Sequence, residues 1–203
     1  MYISQLEHIR RYVGISEEEA LIITGKLKTK SIKKKDLLLT PGKVCRANYF
    51  VSTGLLRLYF INRKDLEQIT HFGLEGWWLS DYDSLDTQKP SRFYLQALED
   101  TEVVIWDIET QAQLAKEIPQ LETYFRIILQ RAYAASQRRI EFLHNNTDEE
   151  RYRNFNALFP AFVQRVPQYM LASYLGFTPQ FLSKIRGRKL KISFRQTTFG
   201  AAC

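Results

Sequence analysis

The chain has 203 residues, 45% of them apolar and 25% charged, with a net charge of +7. These proportions exclude a disordered or collagen-like chain, and no apolar run reaches the about eighteen residues that a membrane span needs. Two cysteines, Cys45 and Cys203, are too few for a four-thiolate zinc site or an iron–sulfur cluster, and they read as free thiols in a reducing compartment.

The N-terminal Met-Tyr-Ile-Ser-Gln-Leu-Glu-His lacks the basic-then-apolar pattern of a signal peptide, so the expected location is the cytoplasm, with no membrane partner. Leu6, Ile9, Tyr12 and Val13, then Leu21, Ile22 and Leu27, recur at helical spacing. Ser16 with Glu19 three residues on predicts a capping box at the start of a second short helix.

From Lys33 the apolar period shortens. Leu37–Leu39 ends at Thr40-Pro41-Gly42, and Tyr49–Val51 ends at Ser52-Thr53-Gly54. Leu55–Ile61 meets the polar turn Asn62-Arg63-Lys64-Asp65, and Ile69–Phe72, Phe93–Leu98 and Val103–Ile108 complete the series. Short strands at this spacing predict an antiparallel sandwich or barrel.

After Asp107 helical spacing returns, with a short helix near residues 109–116 and a break at Ile118-Pro119. A helix free of Gly and Pro is predicted over roughly 120–143. Its apolar residues form two stripes: Leu121, Phe125, Ile128, Ala132 and Ala135, and Leu129, Tyr133, Ile140 and Leu143. Two apolar sides suit a helix packed on the β domain and on the same helix of a second chain, or one buried within a monomer. Asn145–Asp148 is a polar break in which Thr147 or Asp148 caps a helix over about 149–159, ended by Pro160.

The strongest local signal runs from Val166 to Lys189. Pro167 opens a helix with Met170, Leu171, Tyr174 and Leu175 on its inner face and a small residue, Ala172, where helices cross. Gly176 stands where a sharp turn needs positive φ. Thr178 then caps a second helix, Pro179 takes its first position, and Phe181, Leu182 and Ile185 face the core. This is a helix-turn-helix pattern.

Charge is concentrated in the same place. From His144 to Cys203 nine Lys or Arg residues stand against Asp148, Glu149 and Glu150, so this stretch carries +6 of the +7, and no acid follows Glu150. Such asymmetry is the footprint of a phosphate-binding surface, although a solvated basic tail has the same composition. Gln180, Ser183 and Lys184 are placed to read base edges. Arg186, Arg188, Lys189 and Lys191 suit phosphates.

The order of a β-rich domain, a long helix and a C-terminal helix-turn-helix resembles the Crp–Fnr family over nearly the whole chain. The strand and turn segments at 37–42, 49–58 and 97–103 are similar to those of its sensory domain. Leu171–Thr178 followed by Phe181–Ile185 is similar to its DNA-reading segment. The resemblance implies an α+β chain. A double-stranded β-helix (a jelly roll of the cyclic-nucleotide-binding type) is expected at 1–118, a dimerisation helix at 119–144, and a winged-helix-type DNA-binding domain at 145–203. It implies a homodimer joined through Phe125, Ile128, Leu129, Ala132, Tyr133 and Ile140, bound to a near-palindromic duplex through Thr178 and the basic and polar residues after it. RNA polymerase and an unidentified small-molecule effector are further partners that it admits.

Nucleotide-binding members carry a Gly-Glu segment for the ribose and an Arg-Ser/Thr pair for the phosphate. Here Phe72–Leu79 and Pro90-Ser91-Arg92-Phe93 stand in those places, the second in reversed order. Glu75, Gly76, Trp77 and Arg92 are the candidate effector-pocket residues. A standard cyclic nucleotide is not expected, nor is any cofactor, and Arg92 reads first as a surface arginine beside a turn. The Ser193–Cys203 tail lacks a clear hairpin for a wing.

Two other readings compete with this one. One is a small-molecule-binding β-roll module without sequence-specific DNA binding, its basic C-terminus making only a protein or regulatory contact. The other is a cupin-like enzyme, and it lacks its chemistry. His8, His71 and His144 lie in three different segments, and no phosphate-cradling loop or nucleophile–base pair is present.

Overall fold

A computed structural model describes residues 2–178 and 180–183. The chain divides into two compact units, Met1–Leu129 and Gln130–Cys203.

The first unit opens with α1 (Tyr2–Arg10) and α2 (Glu17–Lys26). Ser16 and Glu19 form the expected capping box at α2. Eight strands follow: β1 (Lys28–Ile32), β2 (Leu37–Leu39), β3 (Ala47–Thr53), β4 (Leu56–Ile61), β5 (Glu67–Gly73), β6 (Trp78–Leu79), β7 (Tyr94–Ala97) and β8 (Thr101–Asp107). They pair antiparallel in two four-stranded sheets of order β1-β8-β3-β6 and β2-β7-β4-β5. This is the double-stranded β-helix.

Period-two alternation divides the first sheet between two cores. Val51 and Val103 face the second sheet, where they meet Leu39, Leu56, Leu58, Leu95 and Ala97. Phe50, Val104 and Trp106 face the other way, onto Ile9 of α1, Ile23 of α2 and the helices after the roll. Those are α4 (Ile108–Glu117), capped by Asp107, and the first turns of α5 (Gln120–Asn145). From them Leu114, Ile118, Leu121 and Tyr124 complete a fully buried cluster.

Three elements depart from the sequence pattern. β1 is Lys-Thr-Lys-Ser-Ile, a mostly polar edge strand that only its pairing with β8 reveals. β6 and the one-and-a-half-turn α3 (Tyr82–Thr87) are too short to show a period. A polar relay crosses the second core: the Tyr124 hydroxyl accepts from Trp78 Nε1 at 2.8 Å and lies 2.8 Å from His8 Nδ1. Burial holds the Tyr124 phenol protonated far above its ordinary range.

The second unit takes the remainder of α5, then α6 (Asp148–Leu158), α7 (Pro160–Arg165) and α8 (Gln168–Leu175). Thr147 caps α6: its Oγ1 accepts from Glu150 N, and its own N–H donates to the Glu150 carboxylate at 2.9 Å. That backbone hydrogen bond from Thr147 lowers the Glu150 pKa from its ordinary value. α6 ends at Leu158, just before Pro160 as expected, and the proline also starts α7, because its missing N–H costs nothing at a first helical position. Among the described residues no helix is long and apolar enough to cross a membrane.

Candidate nucleic-acid interface

Tyr152, Phe162, Val163, Val166, Met170, Leu171, Ala172, Leu175 and Leu182 form the buried interior of the second unit. α8 buries Met170, Leu171, Ala172 and Leu175 as the spacing predicts, while Tyr174 is half-buried. It ends at Gly176, which holds φ 82° and ψ 26°. The Gly176 N–H donates to Ser173 O at 3.3 Å and the Phe177 N–H to Ala172 O at 3.1 Å, a paired helix termination that needs the left-handed glycine.

Two arginines bind the carbonyls that this termination leaves over. Arg139 Nη2 of α5 donates to Tyr174 O at 2.9 Å, and its guanidinium lies 4.2 Å from the centre of the Tyr174 ring. Arg151 Nη1 of α6 donates to Leu175 O at 3.1 Å. Arg151 also pairs with Asp148. No local spacing in the sequence points to these contacts, which span 35 and 24 residues.

After the turn Thr178 caps the next helix as expected: its Oγ1 accepts from Phe181 N at 3.2 Å, and its carbonyl from Leu182 N at 3.1 Å. Residues 180–183 are helical, with Leu182 buried and Gln180 and Ser183 exposed. Phe181 is not a core residue. It is exposed, with its ring 5.9 Å from that of Phe177, and among the described residues 180–183 the buried position belongs to Leu182. Lys184, Ile185, Arg186, Arg188, Lys189, Lys191 and the tail expected to lack a full wing lie outside the described residues.

On α5 the two stripes separate. Phe125 and Ile128 are partly buried against the helical core of the first unit, with the Phe125 ring 5.3 Å from Trp78 and 5.2 Å from Trp106. They therefore serve that core instead of lying on an open dimer face. Leu129, Tyr133 and Ile140 are exposed by 46%, 67% and 59%, and Ala132 is exposed with them. An apolar face this open is what a partner surface requires.

The four candidate effector residues are not brought together. Glu75 Oε1 accepts from Gly54 N at 3.1 Å, just before β4, and Gly76 follows with φ 81°. Trp77 is exposed, and its carbonyl accepts from Val51 N at 2.9 Å. Arg92 lies at the far end of β4, where with Phe60, Ile61, Asn62, Arg63 and Phe93 it lines a surface cavity of about 380 Å³. At about 3.3 Å per residue, the two places are roughly 20 Å apart along the strand. Among the described residues no group of three His, Cys, Asp or Glu side chains is placed to hold a metal ion.

No family model matches the chain. It is 27% identical over 176 residues to the anaerobic regulatory protein of Haemophilus influenzae, covering 80% of this chain and 67% of that one. It is 29% identical over 171 residues to the fumarate nitrate reduction regulatory protein of Klebsiella oxytoca, covering 78% and 67%. Its fold matches FixK2 from Bradyrhizobium japonicum with a TM-score of 0.67 at 18% identity, over 79% of this chain and 82% of that one. These relatives are regulators, not enzymes. With regulators aligned to about four-fifths of its length and a fold shared over a similar span, the chain is similar to the Crp–Fnr family of transcription regulators.

Proposed function

We propose that the chain works as a homodimer that reads a near-palindromic duplex through the helix beginning at Thr178 and regulates transcription from that site. The observation that carries this reading is the Gly176 turn followed by a capped helix whose first turn exposes Gln180 and Ser183. Gln bonds an adenine edge in two places, Lys184 reaches guanine O6 and N7, and Ser183 discriminates less. Arg186, Arg188, Lys189 and Lys191 neutralise phosphates and set register. Leu129, Ala132, Tyr133 and Ile140 join the two chains. RNA polymerase is the further protein partner expected of a regulator bound at a promoter.

The signal, where one exists, is not a standard cyclic nucleotide. The Glu75 carboxylate is already engaged by the Gly54 N–H, and Arg92 lies at the other end of the strand. A different small molecule, or none, sets the activity.

Salt titration of duplex binding tests the reading. Several phosphate contacts give a log–log slope of about −0.9 per contact, so affinity should fall by roughly a thousandfold between 50 and 200 mM salt. Absence of duplex binding at the low-salt end would leave a β-roll module without DNA function.

A further inference from the structure

Arg139 occupies an unusual position. It sits on α5 beside Ile140, which points outward and is 59% exposed, while the Arg139 side chain turns inward to α8. An α-helix ends with four carbonyls that lack an intrahelical partner. At α8 the glycine termination takes those of Ala172 and Ser173, and the two arginines take those of Tyr174 and Leu175. All four are satisfied. Both arginines also bring positive charge to the negative end of the helix. The last residues before the recognition turn are thus fastened to α5 by a charged hydrogen bond and a ring contact, and to α6 by a second charged hydrogen bond.

We propose that Arg139 is a positioning residue that fixes the spacing and orientation of the two recognition helices in the dimer. This rests on the dimeric DNA-reading function above. The residue beside Arg139 joins the partner chain, and Arg139 itself holds the turn from which the reading helix starts. A few residues of one helix therefore tie the two-fold axis to the DNA-reading element. Without Arg139 each recognition helix still folds on its unit, held by Arg151, but its placement relative to the axis loosens. Arg139 touches no DNA in this role.

The test compares the full-length wild type with Arg139→Ala and Arg139→Lys on duplexes whose half-sites are at the selected spacing or moved by one base pair. One base pair rotates a half-site by about 34°. Wild type should discriminate the shifted duplex by at least roughly thirtyfold. Arg139→Ala should bind the selected duplex roughly tenfold more weakly and discriminate the shift by less than about fivefold, with its salt slope and dimeric state unchanged. The lysine variant keeps a donor but loses the flat ring contact, and should fall between. Spacing discrimination left intact in Arg139→Ala overturns the inference, as does uniform weakening with a salt slope smaller by about one, the mark of a phosphate contact. A wild type that binds duplex without any spacing preference overturns the dimeric reading itself.

Discussion

Alanine at position 54 should strongly destabilise the β-roll. Gly54 holds φ 92°, and a Cβ there would stand 2.5 Å from Thr101 Oγ1, 2.7 Å from Asp100 O and 2.8 Å from Thr101 Cα. Two of those atoms are backbone, so no side-chain rotation relieves the overlap. The same corner carries the hydrogen bonds from Gly54 N to Glu75 and from Leu55 N to Thr101 Oγ1, and both must distort together. Left-handed strain of about 1–2 kcal/mol adds to that backbone displacement, for a loss of at least about 3 kcal/mol. The same change at Gly42, at φ 83° with nothing within 4 Å of its Cβ, meets the strain alone and should cost only about 1 kcal/mol. All three tryptophans, Trp77, Trp78 and Trp106, lie in the first unit, so tryptophan fluorescence during thermal unfolding reports on it separately. Equal midpoints for the two variants would refute the steric account.

Charge on the outward stripe of α5 should break the dimer and abolish tight DNA binding. Tyr133 and Ile140 are 67% and 59% exposed, so glutamates at both positions meet no core atom in the monomer and leave its fold intact. In a dimer joined on this face, the same changes set four carboxylates into an apolar contact where they cannot be paired. Sedimentation should show a monomer at concentrations where the wild type is a dimer. Affinity for a two-half-site duplex should fall by at least about a hundredfold, because the second recognition helix no longer binds as part of the same molecule. Phe125→Ala provides the contrast. It removes a ring packed on Trp78 and Trp106, so it should lower stability more than it alters assembly. A double-glutamate variant that stays dimeric would move the interface elsewhere.

These expectations differ in how far the sequence alone could have led to them. Helix ends were legible wherever the chemistry is local: Ser16 with Glu19 and the turn from Gly176 to Thr178 each lie within three residues. Most strands were legible because one face is apolar and the period is two, as in Phe50 and Val51 or Val103 and Val104. β1 was not, since its lysines and serine carry no apolar face and its partner lies some seventy residues on. The relay of His8, Tyr124 and Trp78 joins three segments that no spacing rule connects. The arginines under α8 escaped for the same reason, and because charged residues on helices look like solvated faces until a distant carbonyl is seen beside them. Phe181 shows the opposite error: an apolar residue at helical spacing that the first turn leaves exposed.

The central claim is that this chain reads DNA as a two-fold pair. Selecting bound duplexes from a random pool with the full-length protein tests it most directly. The account predicts enrichment of two inverted half-sites whose centres lie about one helical turn, 10–10.5 base pairs, apart. A single unpaired half-site, or a pool that remains random after repeated selection at low salt, would contradict it.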